Sequence, residues 1–265
     1  NDKILSIRPK EALEQLREGS IITIDFGGVM MIVTKVKSTY VEAKTINSGD
    51  VSNNKAITFF PFAVLPALSD KDKLAINIAK KYGITTFALS FTNKLHDVKY
   101  LRKLVGKESK IISKIETIKG VENLSSIIKE VDAILIDRGD LSREVPLENI
   151  PFLQKKIINR TRQSNKPVYV ATNLLESMLT NKNPTRAEIS DVVNTLIDGV
   201  NGLVLAAETA IGKNPIESVD MLRTLIKCFQ YSIDGYSIND LIKPNSILLP
   251  NFHGTESSNP LFITK

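Results

Sequence analysis

Ile111-Ile112-Ser113-Lys114-Ile115-Glu116, a helical pattern over 121–130, and then Ala133-Ile134-Leu135-Ile136 ahead of Asp137-Arg138-Gly139-Asp140 decide the fold. Apolar runs this short, bounded by polar residues, read as strands buried on both faces. Further strand-like runs lie at 84–91, 167–171 and 202–205, and helical patterns at 97–105, 147–163, 185–197 and 215–227. Ser69 and Asp72 open the series with a start resembling a capping box, followed by apolar Leu74, Ile78 and Ala79 at helical spacing. Strict alternation of strand and helix implies parallel strands with right-handed crossovers. Neither the G-x-G-x-x-G nor the G-x-x-x-x-G-K-[ST] pattern occurs, which favours a barrel over a dinucleotide-binding sheet. The expected class is α/β, a (β/α)8 TIM-type barrel left incomplete, because five units do not close eight strands.

The first sixty residues differ. Runs at 21–24, 29–36 and 40–43, punctuated by Gly27-Gly28 and Ser48-Gly49-Asp50, read as a small all-β module. Phe60-Pro61-Phe62 through Leu65-Pro66 reads as an extended connector, since proline moves its predecessor out of the helical region. The expected domains are 1–62 (β), 63–230 (barrel) and 231–265, an extended tail carrying Lys243-Pro244, Leu249-Pro250 and Asn259-Pro260.

Composition narrows the function classes. Across 265 residues, 42% hydrophobic and 24% charged residues exclude a disordered tail, a fibre or a disulfide scaffold. No apolar run is long enough to span a membrane, and residues 1–10 lack the apolar core of a signal peptide. The sequence opens on Asn1 rather than Met, so the natural start is expected upstream. Cys228, the lone cysteine, fits a reducing compartment and reads as a packed thiol, so a cytoplasmic location is expected. The net charge of +6 is scattered and Trp is absent, which argues against nucleic acid and for a small anionic substrate.

Catalytic groups of a βα barrel stand at the C-terminal strand ends. Here those ends offer Ser90, Thr92 and Asn93; then Lys114 and Glu116; then Arg138-Gly139-Asp140; then Thr172-Asn173; and finally Glu208-Thr209. Lys114 and Glu116 are two apart and share a strand face. Glu116 and Asp140, with substrate oxygens, suit a divalent cation such as Mg²⁺, and a Lys-Glu-Asp ion-pair network at the barrel rim is the competing reading. Arg138-Gly139-Asp140 follows a buried strand, which disfavours an adhesion motif; Gly139 would let backbone amides approach an anion.

Ile112-Ser113-Lys114-Ile115-Glu116, Arg138-Gly139-Asp140-Leu141 and Ala171-Thr172-Asn173-Leu174-Leu175-Glu176-Ser177-Met178 resemble pyruvate kinase. So do Pro184-Thr185-Arg186-Ala187-Glu188 with Ser190-Asp191-Val192, and Glu208-Thr209-Ala210 with Gly212. Residues 19–56 resemble the second half of that family's β lid domain, and 62–72 its return to the barrel. The resemblance implies Lys114 as the catalytic lysine, Glu116 and Asp140 as metal carboxylates, and Arg138, Gly139, Asp140 and Thr172 as substrate-binding residues. It also implies Thr172 as a second catalytic residue, positioned near the enolate carbon, and Ser90 as a pocket residue, against an ordinary strand-end hydroxyl.

The implied activity is phosphoryl transfer from phosphoenolpyruvate to ADP, giving pyruvate and ATP in glycolysis, with Mg²⁺ (or Mn²⁺) and K⁺. A non-catalytic subunit or scaffold and a metal-dependent pyruvate-enolate lyase or aldolase are the rival expectations. Nothing corresponds to the family's first three barrel strands or its C-terminal domain, so a longer chain, or a second chain completing the barrel, is expected, with a homo-oligomer the usual assembly. Four smaller departures stand out: Asp137 for the usual Ala, Ser142 for Gly, Thr117 for Asn, and Ala206-Ala207 for Ser-Gly, the added carboxylate at Asp137 being expected either to pair with Lys or Arg or to disturb the metal charge balance.

Overall fold

In β1 (Ile21–Ile24) and β2 (Val29–Val36) alternate residues are buried: Ile22 and Ile24 in one, Val29, Met31 and Val33 in the other. That period of two builds a sheet with one covered face. β3 (Val41–Thr45) and β4 (Ile57–Phe60) complete an antiparallel sheet in the order β3-β2-β1-β4. A one-turn helix, α1 (Lys10–Leu13), adds Ala12, and Leu16 follows, to a core of Ile22, Ile24, Val29, Met31, Val33 and Phe59. The computed structural model describes residues 4–25 and 28–233, so Gly27 lies outside it.

Sequence reading misplaces one feature here. Phe60 belongs to β4, opposite Ile21, rather than opening a connector. The run Ile57-Thr58-Phe59-Phe60 is legible as a strand only beside β1, where Phe59 is buried while Phe60 is exposed. The chain divides into two compact units, Asn1–Ser69 and Asp70–Lys265, so residues 63–69 fall with the first.

The second unit is a run of βα repeats: α2 (Asp70–Lys81), β5 (Thr86–Leu89), α3 (Leu95–Val105), β6 (Lys110–Ile115), α4 (Ile118–Glu122) and α5 (Leu124–Ile127). It continues through β7 (Ala133–Asp137), α6 (Arg138–Leu141), α7 (Ile150–Gln163), β8 (Val168–Ala171), α8 (Arg186–Ile197), β9 (Gly202–Val204), α9 (Ala207–Ala210) and α10 (Pro215–Ile233). The five strands pair in parallel in chain order, β5-β6-β7-β8-β9. This is the expected α/β architecture of an incomplete barrel, with a separate antiparallel β module.

Strand parity sorts the side chains into two layers. Ile111, Ile115, Ile134, Ile136, Val168, Val170 and Leu203 are almost wholly buried. The alternate set, Ile112, Ala133, Leu135, Ala171 and Val204, forms its own cluster with Tyr169 packed on it. Lys114, Glu116 and Asp137 continue this second parity.

Three helical spans differ from expectation. The pattern over 121–130 breaks at Asn123 into α4, α5 and a 3-10 turn, Ile128–Glu130. Leu147–Asn149 is likewise a 3-10 turn ahead of α7, whose first turn holds Pro151, a residue that needs no amide partner there. α10 runs to Ile233, beyond the expected 227, because no Gly or Pro interrupts it before Gly235. The expected tail therefore starts within a helix at 231, and 234–265 lie outside the described residues.

Thr185 caps α8 as its sequence suggests. Its Oγ1 accepts the Glu188 amide at 3.2 Å while Glu188 accepts the Thr185 amide at 2.6 Å. Thr185→Ala should therefore lower stability by about 1 kcal/mol, read as a fall in the denaturant midpoint with little change in slope.

Candidate active site

β6 and β7 lie side by side in register, Lys114 opposite Leu135 and Ile115 opposite Ile136. Parity turns Lys114, Glu116 and Asp137 to the face shared with Ile112 and Leu135. Lys114 Nζ lies 2.6 Å from Glu116 Oε1 and 2.9 Å from Asp137 Oδ2, and all three side chains are buried. A buried ammonium is tolerated only with such partners, and each carboxylate alone would cost several kcal/mol to desolvate.

The second Glu116 oxygen accepts the Phe91 amide, in the turn after β5. Burial pushes the Glu116 carboxyl up, to about 7, against the opposing pull of Lys114 and the Phe91 amide and with a small further push from Asp137. Asp140, half-buried in α6, pairs with Arg143 at 2.9 Å. Glu116, Asp137 and Asp140 each bring an oxygen within 4.8 Å of the others, and such a group can hold a metal ion. Carboxylate oxygens with room for water and substrate suit a hard divalent cation.

Thr172 follows β8 with φ 71, and Asn173 follows with φ 53, two consecutive non-glycine residues in the left-handed region. That backbone costs free energy and persists only where its surroundings hold it. Arg138 supplies the restraint, donating to the Thr172 carbonyl at 2.8 Å and the Asn173 carbonyl at 2.8 Å while pairing with Asp191 at 2.6 Å. Thr172 Oγ1 accepts the Gly139 amide at 2.8 Å and has two acceptors within reach of its one proton, the Ala171 carbonyl at 2.6 Å and Asp137 Oδ1 at 3.1 Å. A side chain at Gly139 would begin 3.3 Å from that hydroxyl, so glycine permits the approach.

The structure thus brings Lys114, Glu116, Asp140, Gly139 and Thr172 to neighbouring strand ends. The Arg138 guanidinium is turned onto the β8 end, and the Gly139 amide is engaged by Thr172 rather than presented open to an anion. Ser90 is exposed at the end of β5. Thr92 bonds back to the Leu89 carbonyl, and Asn93 accepts from Thr117, which caps α4 through Gly120. Glu208 is buried and accepts the Leu175 and Ala206 amides, closing the loops after β8 and β9. Cys228 is half-buried, and burial pushes its thiol up, as for a packed residue.

Asp137 is the extra carboxylate of the cluster, and of its two expected outcomes the structure shows the pairing, with Lys114. Its sole signal is that it stands where the resembling family carries a small residue. Two other departures have local reasons. Thr117 is the α4 cap, and the Ser142 hydroxyl donates to the Gly139 carbonyl at 2.8 Å.

The family model for the pyruvate kinase barrel domain matches residues 1–219. The chain is 36% identical over 245 residues to a pyruvate kinase of Sporosarcina psychrophila, covering 90% of this chain and 42% of that protein. It is 37% identical over 232 residues to that of Thermotoga maritima (86% and 50%) and 36% over 246 residues to that of Clostridium perfringens (91% and 52%). It therefore spans about half the length of the curated relatives it matches. Similarity sustained over both the β module and the βα repeats, and through every strand end described above, makes this chain a member of the pyruvate kinase family.

Proposed function

We propose that this chain carries the reacting centre of a pyruvate kinase, transferring a phosphoryl group from phosphoenolpyruvate to ADP. The observation that supports it best is the buried Lys114 held among Glu116 and Asp137 beside Thr172, at the strand ends of a family member. In the reaction the bond between phosphorus and the enol oxygen breaks, and an oxygen of the ADP terminal phosphate takes the phosphoryl group. The enolate then gains one proton at its CH₂ carbon and becomes pyruvate.

Such a transfer needs positioning and neutralisation of charge more than covalent help. The Lys114 ammonium supplies a fixed positive charge for the phosphoryl and enolate oxygens. Glu116 and Asp140 would hold Mg²⁺ or Mn²⁺, which when bound supplies Lewis-acid neutralisation of the phosphoryl oxygens. Thr172, oriented by Gly139 and Asp137, positions a hydroxyl at the same strand ends. K⁺ belongs to the reading through the family, with no residue of this chain assigned to it. A cytoplasmic location fits a chain with one packed cysteine.

The natural full-length protein, given phosphoenolpyruvate, ADP and Mg²⁺, should form ATP and pyruvate in equal amounts. Failure to form ATP overturns the proposal, and pyruvate release from a 2-oxo acid without nucleotide would favour a lyase. Lys114→Arg keeps a cation between Glu116 and Asp137 but displaces its charge, and should lower kcat about a hundredfold.

The raised Glu116 carboxyl gives a pH test. Its unfolded value is 4.5 and its folded value about 7, so between these the unfolded chain releases a proton that the folded one retains. This contribution to stability is fully present below 4.5 and is lost as pH rises through about 7. Relative to Glu116→Gln, the metal-free wild type should lose melting temperature from pH 5 to pH 8. Mg²⁺ should restore more of it at pH 8 than at pH 6, because a cation needs the charged form.

A further inference from the structure

Asp137 joins two groups to which the reading above gives separate tasks. Its Oδ2 lies 2.9 Å from Lys114 Nζ on β6, and its Oδ1 lies 3.1 Å from Thr172 Oγ1 after β8. We propose that Asp137 is a positioning residue, setting the Lys114 ammonium and the Thr172 hydroxyl in fixed relation for the reaction proposed above, on which this inference rests.

Asp137 bears on the geometry of each partner. A hydroxyl has one proton, and Thr172 Oγ1 faces two acceptors, the Ala171 carbonyl at 2.6 Å and Asp137. The Ala171 carbonyl draws the proton back toward the strand, whereas Asp137 draws it toward Lys114. The Gly139 amide occupies a lone pair of the same oxygen, so the two acceptors compete for its single proton, and Asp137 is the one that lies toward Lys114. Lys114 has a parallel dependence. Of its two carboxylates, Glu116 is the one assigned to a divalent cation. Were Glu116 to share its charge with a divalent cation, Asp137 would still hold the ammonium against β7.

Asp137 is 1% exposed, and a carboxylate so deep beside an anionic substrate would raise the barrier if its charge were not already committed. Both of its oxygens are engaged by the very groups proposed to act. Asp137→Asn keeps an oxygen that can accept from Thr172 but removes the charge facing Lys114. Asp137→Ala removes both links.

The test uses the natural full-length protein and both variants, with melting temperature as the check on folding. Three readouts are taken: kcat, the KM for phosphoenolpyruvate, and the exchange of pyruvate methyl protons with D₂O in the presence of Mg²⁺ and no nucleotide, followed by proton NMR. Exchange reads the enolate half alone, since a methyl proton leaves and a solvent deuteron takes its place. Asp137→Asn should lower kcat by about tenfold or more while KM changes by less than about threefold, and Asp137→Ala should lower kcat at least as far. Exchange should fall in step.

Activity within about twofold of wild type in a folded Asp137→Ala protein, or a faster one, overturns the role. So does a loss confined to KM, or two variants that both fail to fold, which would make Asp137 a folding residue. A wild type that exchanges protons but makes no ATP overturns the kinase reading alone, and the exchange rates then decide on Asp137. A wild type that does neither overturns both.

Discussion

A lysine ammonium buried between two carboxylates is the interaction on which this structure turns. Lys114, Glu116 and Asp137 are each almost inaccessible to solvent, so none can remain in place alone. Their proximity is fixed by the parallel register of β6 and β7 and by strand parity, which the outer layer of isoleucines and valines enforces. A one-residue slip of β6 would carry Lys114 and Glu116 together to the face held by Ile111 and Ile115 and leave Asp137 on β7 unpaired. The hydrophobic layer and the charged triad therefore specify the same register, one through burial and the other through the cost of an unpaired charge.

The same logic extends to the loops beyond the strands. Those turns contain backbone groups with no ladder partner, and buried or half-buried charged side chains satisfy them. Glu116 takes the Phe91 amide, Glu144 the Ile118 amide, and Glu208 the Leu175 and Ala206 amides, while Arg138 takes the Thr172 and Asn173 carbonyls. Charge-assisted bonds of this kind are stronger than neutral ones and can hold backbone in costly conformations. Phe91, Thr172 and Asn173, all at positive φ, sit at these pinned ends. Rigid strand ends are what a reaction governed by positioning requires.

Much of this was legible in the sequence because it rests on local pattern. The five buried runs, the Thr185 cap and the shared face of Lys114 and Glu116 follow from periodicity and spacing. β4 was not legible, since Ile57-Thr58-Phe59-Phe60 gains strand character from its pairing with β1. The break at Asn123 and the extension of α10 through Ile233 depend on packing and on absent stop signals, which helical periodicity reads poorly. Asp137 is the instructive case. Its oddness showed in the sequence, but its partners lie 23 and 35 positions away, one on β6 and one just after β8, and only the register brings them to it.

Charge balance carries the argument one step further. Glu116, Asp137 and Asp140, set against Lys114 and Arg143, leave the site one negative charge when all are ionised. A proton on Glu116 removes that excess, consistent with a carboxyl pushed up to about 7 by burial. A phosphorylated carboxylic acid approaching the ionised site meets net repulsion; with a divalent cation in place the same residues present net attraction. On the proposed reading the protein's own side chains thus set an order in which the cation precedes the anion. The extra carboxylate at Asp137 sharpens that order, because it deepens the negative potential that draws the cation while leaving Lys114 held where the phosphoryl charge will develop.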